Sequence, residues 1–198
     1  MKKLILLCLC LCLSFTIAGC GSEKEEEYFE TTLSFDKDGK ITDVIVESFS
    51  EDYYSEEGLR AYFQEKISDY NSTNIGTGEI KLSDLFVGDG RAKATLVFDN
   101  SDTYFAFYGT PAFYGTISDA YDKGYIQETV LKKVGESKTI SKIDLMKMSD
   151  ANIIVVSEVV RIHSPNKIEY TSANVELIDE KNARVSSDST GLAYIVVK

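Results

Sequence analysis

Two Asp-Gly pairs, each between apolar runs, restrict the fold of this chain more than any other feature. Asp38-Gly39 separates residues 33–35 from residues 41–49, and Asp89-Gly90 separates residues 80–87 from residues 92–98. Asp-Gly favours the tight turns that need positive φ angles and join antiparallel strands. The sequence therefore predicts two β-hairpins.

Two helices are predicted between and after these hairpins. Ser55 precedes two glutamates, which favours a helix start. The apolar residues that follow recur at helical spacing and predict an amphipathic helix that packs on a sheet: Leu59, Tyr62, Phe63, Ile67 and Tyr70. Thr116 and Asp119 have capping-box spacing, and Gly124 would end the short second helix that they begin.

The C-terminal half, from residue 125 to residue 198, is predicted to be mostly β. Its extended runs are residues 153–162, 168–177 (bent near 172–174), 183–185 and 192–197. The last run is almost entirely apolar, which favours a central strand buried on both faces. We therefore expect an α+β fold: antiparallel β-hairpins, one amphipathic helix, a short second helix and a β-rich C-terminal half. No Pro/Gly-rich linker divides residues 28–198, which predicts one domain with two lobes at most.

The N-terminal residues have the order of a secretion signal. Lys2 and Lys3 precede an apolar run, Leu4–Ile17, which is short for a membrane-spanning helix. Ile17-Ala18-Gly19-Cys20 then resembles the lipobox of bacterial lipoproteins. The resemblance implies that residues 1–19 are a signal peptide, removed before Cys20, and that the Cys20 thiol carries a diacylglycerol. Ordinary secretion and a retained membrane helix are the alternatives.

This resemblance predicts a lipid-anchored protein on the extracytoplasmic face of the cell membrane. Cys8, Cys10 and Cys12 would leave with the signal peptide, so the mature chain would hold no disulfide. Residues 20–27 are polar and acidic, which is typical of a solvated tether.

The net charge of the chain limits the kinds of partner that it can bind. The chain has 32 acidic and 21 basic residues, a formal net charge of -11, which argues against nucleic acid as a partner. Anionic lipid headgroups would also repel such a body, so membrane attachment is expected to depend on the acyl chains.

The segment from Tyr104 to Tyr125 is dense in aromatic residues. Within it Phe107-Tyr108-Gly109-Thr110 recurs as Phe113-Tyr114-Gly115-Thr116. We expect Phe107 and Phe113 to face the core and Tyr108 and Tyr114 to lie nearer the surface, where they could bind a ligand. The alternative is that the whole segment is core packing.

Catalytic motifs are missing from the sequence. His163 is the only histidine, no nucleotide-binding glycine pattern occurs, and the chain lacks the ligands of a usual zinc site. We therefore predict no catalytic residue, metal or cofactor. The expected function is a non-enzymatic binding or accessory module for an unidentified envelope protein or ligand. The alternative is a hydrolase of glycan or peptide that uses two carboxylates.

A second resemblance covers the mature chain. The Lys-Asp-Gly-Lys turn at residues 37–40, the aromatic middle and the Lys-Ile-Glu-Tyr string at residues 167–170 are similar in style to small lipoproteins of Gram-positive bacteria. This resemblance implies no particular activity.

Overall fold

The computed structural model describes residues 30–51, 54–186 and 191–198. The predicted signal peptide, Cys20 and the predicted tether lie outside these residues. The described residues form an α+β fold, as predicted, with four helices and thirteen strands in two sheets. The helices are α1 (Glu56–Thr73), α2 (Ser101–Tyr108), α3 (Ile117–Asp122) and α4 (Lys142–Met146). The strands are β1 (Thr32–Phe35), β2 (Ile41–Ser48), β3 (Ile80–Gly88), β4 (Arg91–Phe98), β5 (Ala112–Thr116), β6 (Val130–Lys133), β7 (Thr139–Ser141), β8 (Asn152–Val156), β9 (Arg161–His163), β10 (Ile168–Ser172), β11 (Val175–Leu177), β12 (Asn182–Val185) and β13 (Ala193–Val197).

The first sheet has seven strands in the order β11-β12-β9-β1-β2-β4-β3. Its pairs are antiparallel except β1 with β9, which run parallel. Both predicted hairpins are confirmed as β1–β2 and β3–β4. Gly39 has φ 86°, and the second turn has φ 53° at Asp89 and 72° at Gly90, values that explain the Asp-Gly pairs.

The second sheet has six strands in the order β5-β8-β13-β10-β6-β7, and its strands β8 and β13 are buried on both faces. In β13 the residues Ala193, Ile195 and Val197 join the core between the two sheets. Tyr194 and Val196 join a second core on the opposite face, where α3 and α4 pack. The prediction of a central, doubly buried C-terminal strand is confirmed.

Helix α1 covers part of the seven-stranded sheet. Its predicted start is confirmed, because the Ser55 hydroxyl accepts a hydrogen bond of 3.0 Å from the Gly58 N–H. Ile67 and Tyr70 are the buried residues of α1, and they join the core between the sheets.

Residues 153–162 were predicted to be one strand, and the structure corrects this. The run divides into β8, in the six-stranded sheet, and β9, in the seven-stranded sheet, with residues 157–160 crossing between them. The bend predicted near residues 172–174 is likewise the crossing from β10 to β11. A continuous apolar run does not reveal which sheet its two ends join.

Candidate functional site

Helix α2 forms another crossing, from β4 in one sheet to β5 in the other. The side-chain oxygen of Asn100 caps it by accepting a hydrogen bond of 2.8 Å from the Thr103 N–H. Gly109 ends it in the left-handed conformation, at φ 76°. This short helix brings the aromatic residues of the segment beside the seven-stranded sheet.

The rings of α2 pack on one another and on the end of β4. The Tyr104 ring lies 4.9 Å from that of Phe98 and 4.8 Å from that of Tyr108, measured between centroids. Phe107 lies 5.9 Å from Tyr70 of α1, edge to face. These distances are typical of favourable aromatic pairs, so the cluster joins both helices to the sheet.

A carboxyl group lies beneath these rings. Asp43 points inward on β2, because the residues two positions before and after it, Ile41 and Ile45, belong to or pack against the core. Its directly opposite neighbours are Leu33 of β1 and Leu96 of β4, and only 4% of Asp43 is exposed. An acid therefore occupies a position that the pattern of the sheet assigns to an apolar residue.

Two hydroxyl groups of α2 reach carboxylates on different elements. The Tyr108 hydroxyl donates a hydrogen bond of 2.9 Å to Asp43 Oδ2. The Tyr104 hydroxyl donates one of 3.1 Å to Oε1 of Glu158, which lies in the crossing from β8 to β9. The Thr110 hydroxyl, just beyond α2, donates a third hydrogen bond of 2.6 Å to the same Glu158 oxygen. These three hydrogen bonds therefore connect the β4–β5 crossing, which contains α2, to the β8–β9 crossing and to β2.

Burial raises the pKa of Asp43 from an ordinary 3.8 to about 7. The hydrogen bond from Tyr108 opposes this rise, and the negative charge of Glu158 adds to it. Burial and the same two carboxylates also raise the pKa values of Tyr104 and Tyr108, so both phenols stay protonated as donors. Within the described residues neither carboxylate forms an ion pair with a lysine or an arginine.

The two tyrosines predicted to bind a ligand, Tyr108 and Tyr114, lie in different surroundings. Tyr108 ends α2, is 36% exposed and bonds to Asp43. Tyr114 lies in β5, where it is partly buried against the core and its ring lies 6.3 Å from that of Phe35. The repeated Phe-Tyr-Gly-Thr unit therefore ends a helix in one copy and lies in a strand in the other.

The two phenylalanines of that repeated unit differ in burial. Phe113 is buried as expected, whereas Phe107 is only partly buried. Part of the aromatic segment is therefore core packing, which was the alternative interpretation.

Sequence reasoning missed Asp43, Glu158 and helix α2. An acid within a β-strand looks like an exposed residue unless the register with its neighbours is known. A usable signal existed for α2, because Asn100 and Gly109 are nine residues apart and have the residue types of helix caps.

Residues of other possible chemistries lie apart from this site. His163 is partly buried at the end of β9, and its Nδ1 lies 3.0 Å from the Asn182 side-chain oxygen. In residues 30–51, 54–186 and 191–198, no three His, Cys, Asp or Glu side chains group together in a way that could hold a metal ion.

Comparison of the chain with protein family models, with curated proteins and with solved structures yields no match. Among the described residues, no helix has the length and apolar character needed to cross a membrane. Function is therefore inferred from the chemistry of the site and from the N-terminal sequence.

The first prediction concerns the pH dependence of stability in Asp43→Asn. Because its folded pKa exceeds its unfolded pKa, Asp43 contributes stability that is complete below pH 3.8 and is lost as the pH rises through about 7. Between pH 5 and pH 8 the variant should therefore gain roughly 2 kcal/mol of unfolding free energy relative to wild type. Urea unfolding at several pH values measures this difference.

The matched control is Asp84→Asn, since Asp84 is an exposed acid on β3 of the same sheet. It should follow the wild-type pH dependence. A constant difference between Asp43→Asn and wild type across this range would contradict the raised pKa.

Proposed function

We propose that this chain is a membrane-anchored extracytoplasmic lipoprotein and that its globular body is a non-enzymatic binding or accessory module of the cell envelope. The lipid on Cys20 would hold it at the membrane. The N-terminal order of basic residues, apolar run, lipobox and acidic tether supports the anchor. The cluster at the end of α2 supports the binding role.

The observation that carries the binding role is the Tyr108 hydroxyl bonded to the buried Asp43 carboxyl. An apolar residue at position 43 would suit its neighbours, so folding alone does not require an acid there. The bond holds Tyr108 in place while 36% of that side chain stays exposed. A fixed, half-exposed phenol has a low entropic cost of binding, which is one reason why tyrosines are common in interfaces.

A second aromatic residue extends this surface. Tyr62 of α1 is 54% exposed, and the negative charge that its phenol carries once ionised raises the Tyr108 pKa, so the two phenols are neighbours. Lys66 Nζ lies 6.0 Å from the centre of the Tyr62 ring. We define Tyr62 and Tyr108 as the tyrosine surface, the part of the body proposed to meet a partner or ligand.

A carboxylate-based hydrolase is the second candidate. It is favoured by one observation, a carboxyl of raised pKa beside a second carboxylate, which is the pairing that acid-base hydrolysis uses. Against it, Tyr108 bonds to Asp43, and Tyr104 and Thr110 bond to Glu158, so hydroxyls of the chain itself occupy these groups. The hydrolase requires glycan or peptide cleavage that Asp43→Asn and Glu158→Gln both abolish.

The anchor is tested by Cys20→Ala. Without the thiol no diacylglycerol can be added, and the acidic body has no other strong attraction to the membrane. We expect the variant to lose labelling by radioactive palmitate and to leave the membrane fraction. Retention in that fraction with continued labelling would show that the lipobox interpretation is wrong.

The tyrosine surface is tested by photo-crosslinking in living cells. A benzoylphenylalanine in place of Tyr62 should give a discrete crosslinked product, because the proposed partner lies within reach of this ring. The matched control is the same replacement of Tyr121, which lies on α3 and is 52% exposed. Equal products from both positions, or none from position 62, would contradict this surface.

A further inference from the structure

The two ends of α2 are held in different ways. At its N-terminal end, the side chains of Asn100 and Thr103 donate hydrogen bonds of 2.9 and 3.1 Å to the Thr77 carbonyl oxygen. These bonds involve no ionisable group. At its C-terminal end, Tyr108 donates to the carboxyl of Asp43, an ionisable group. Asp102 in the first turn of α2 also forms an ion pair with Lys123, but that pair is exposed to solvent. The C-terminal attachment is the one that depends on a buried ionisable group, so its response to pH should be the larger.

The surroundings of Asp43 make its ionised form unfavourable. Its cross-strand neighbours on β1 and β4 are leucines, which cannot stabilise a charge. The titratable groups that face it are Tyr108 and Tyr104 of α2 and Glu158 of the β8–β9 crossing, while Tyr62 of α1 acts on Tyr108. None of these groups is a cation. Loss of the Asp43 proton therefore adds a second negative charge, beside that of Glu158, at a position with little access to water.

We propose that Asp43 and Tyr108 form a proton-dependent latch that holds the C-terminal end of α2 against the seven-stranded sheet. With the proton present, Asp43 is neutral and the latch is closed. When the proton leaves to solvent, hydration stabilises the carboxylate, and the last turn of α2 unwinds and moves away from the sheet to admit water. This inference does not depend on the lipid anchor.

The chain next to Tyr108 permits this movement. Gly109 follows at once with φ 76°, and nothing lies within 4 Å of the position that a Cβ would take there. A glycine in open space can change its backbone angles at low cost. The movement would also alter the tyrosine surface, because Tyr108 belongs to it.

Thermodynamic linkage sets the size of the effect. If the open form gives Asp43 its ordinary pKa of 3.8 and the closed form a pKa of about 7, the opening equilibrium should rise by up to about 30-fold between pH 5.5 and pH 8.5. The rise should level off once the pH exceeds the closed-form pKa.

Hydrogen exchange of the full chain, purified in detergent micelles, tests the latch. Residues 105–109 should exchange up to about 30-fold faster at pH 8.5 than at pH 5.5, after correction for the intrinsic pH dependence of exchange. Asp43→Asn should abolish this rise, and Asp84→Asn should preserve it. A flat corrected profile in wild type, or an unchanged rise in Asp43→Asn, would overturn the proposal.

Two further variants separate the bond from the charge. Tyr108→Phe removes the bond that holds the end of α2, so residues 105–109 should already exchange faster at pH 5.5 and show a smaller rise with pH than in wild type. Glu158→Gln removes a like charge, so the rise should level off at a lower pH. Wild-type exchange at pH 5.5 in Tyr108→Phe, or an unshifted profile in Glu158→Gln, would also overturn the latch.

Discussion

The central strands of the six-stranded sheet, β8 and β13, leave neither face in contact with water. Every residue of β13 is buried, and the residues of neighbouring β8 alternate between the two cores. One face is covered by α3 and α4, and the other by the seven-stranded sheet. Because the chain supplies strands to both sheets, it must cross between them several times, and each crossing brings backbone and polar side chains to the edge of the core.

Two of those crossings meet at the candidate site. Helix α2 and residues 157–160 are joined by hydrogen bonds from Tyr104 and Thr110 to Glu158, and α2 is joined to β2 by the bond from Tyr108 to Asp43. Hydroxyl groups bond to both acids, while no lysine or arginine among the described residues forms an ion pair with either. The hydrogen bonds hold α2 in place, and the lack of a neutralising cation makes the protonation state of Asp43 important to its stability. Both the proposed binding role and the proposed latch follow from these two features.

The parts of the fold that the sequence predicts are those governed by local signals. The Asp-Gly turns, the Ser55 cap of α1 and the charge-free run at the C-terminus each determine their own structure within a few residues. The division of residues 153–162 between two sheets has no local cause, because Val156 and Val160 are both apolar and both buried. Only the completed sheets decide where that run must cross.

The candidate site was harder to predict for the same reason. In β2 the apolar residues Ile45 and Val46 are adjacent, so the sequence does not show which alternating set faces the core. The pairing of Asp43 with Leu33 and Leu96 decides it, and that pairing brings together three separate strands. Tyr108 could be proposed as a functional residue from its sequence context, whereas its acidic partner becomes visible only in the folded structure.

The central claim is that the Asp43 carboxyl is neutral over much of the range below neutral pH because it is buried beneath Tyr108. Its side-chain carboxyl carbon, observed by ¹³C NMR as the pH is raised, measures that ionisation directly. The account predicts a midpoint near pH 7, from the value of about 7 for this group. A midpoint close to the ordinary 3.8 would show that water reaches the carboxyl in the folded protein, and it would contradict the account.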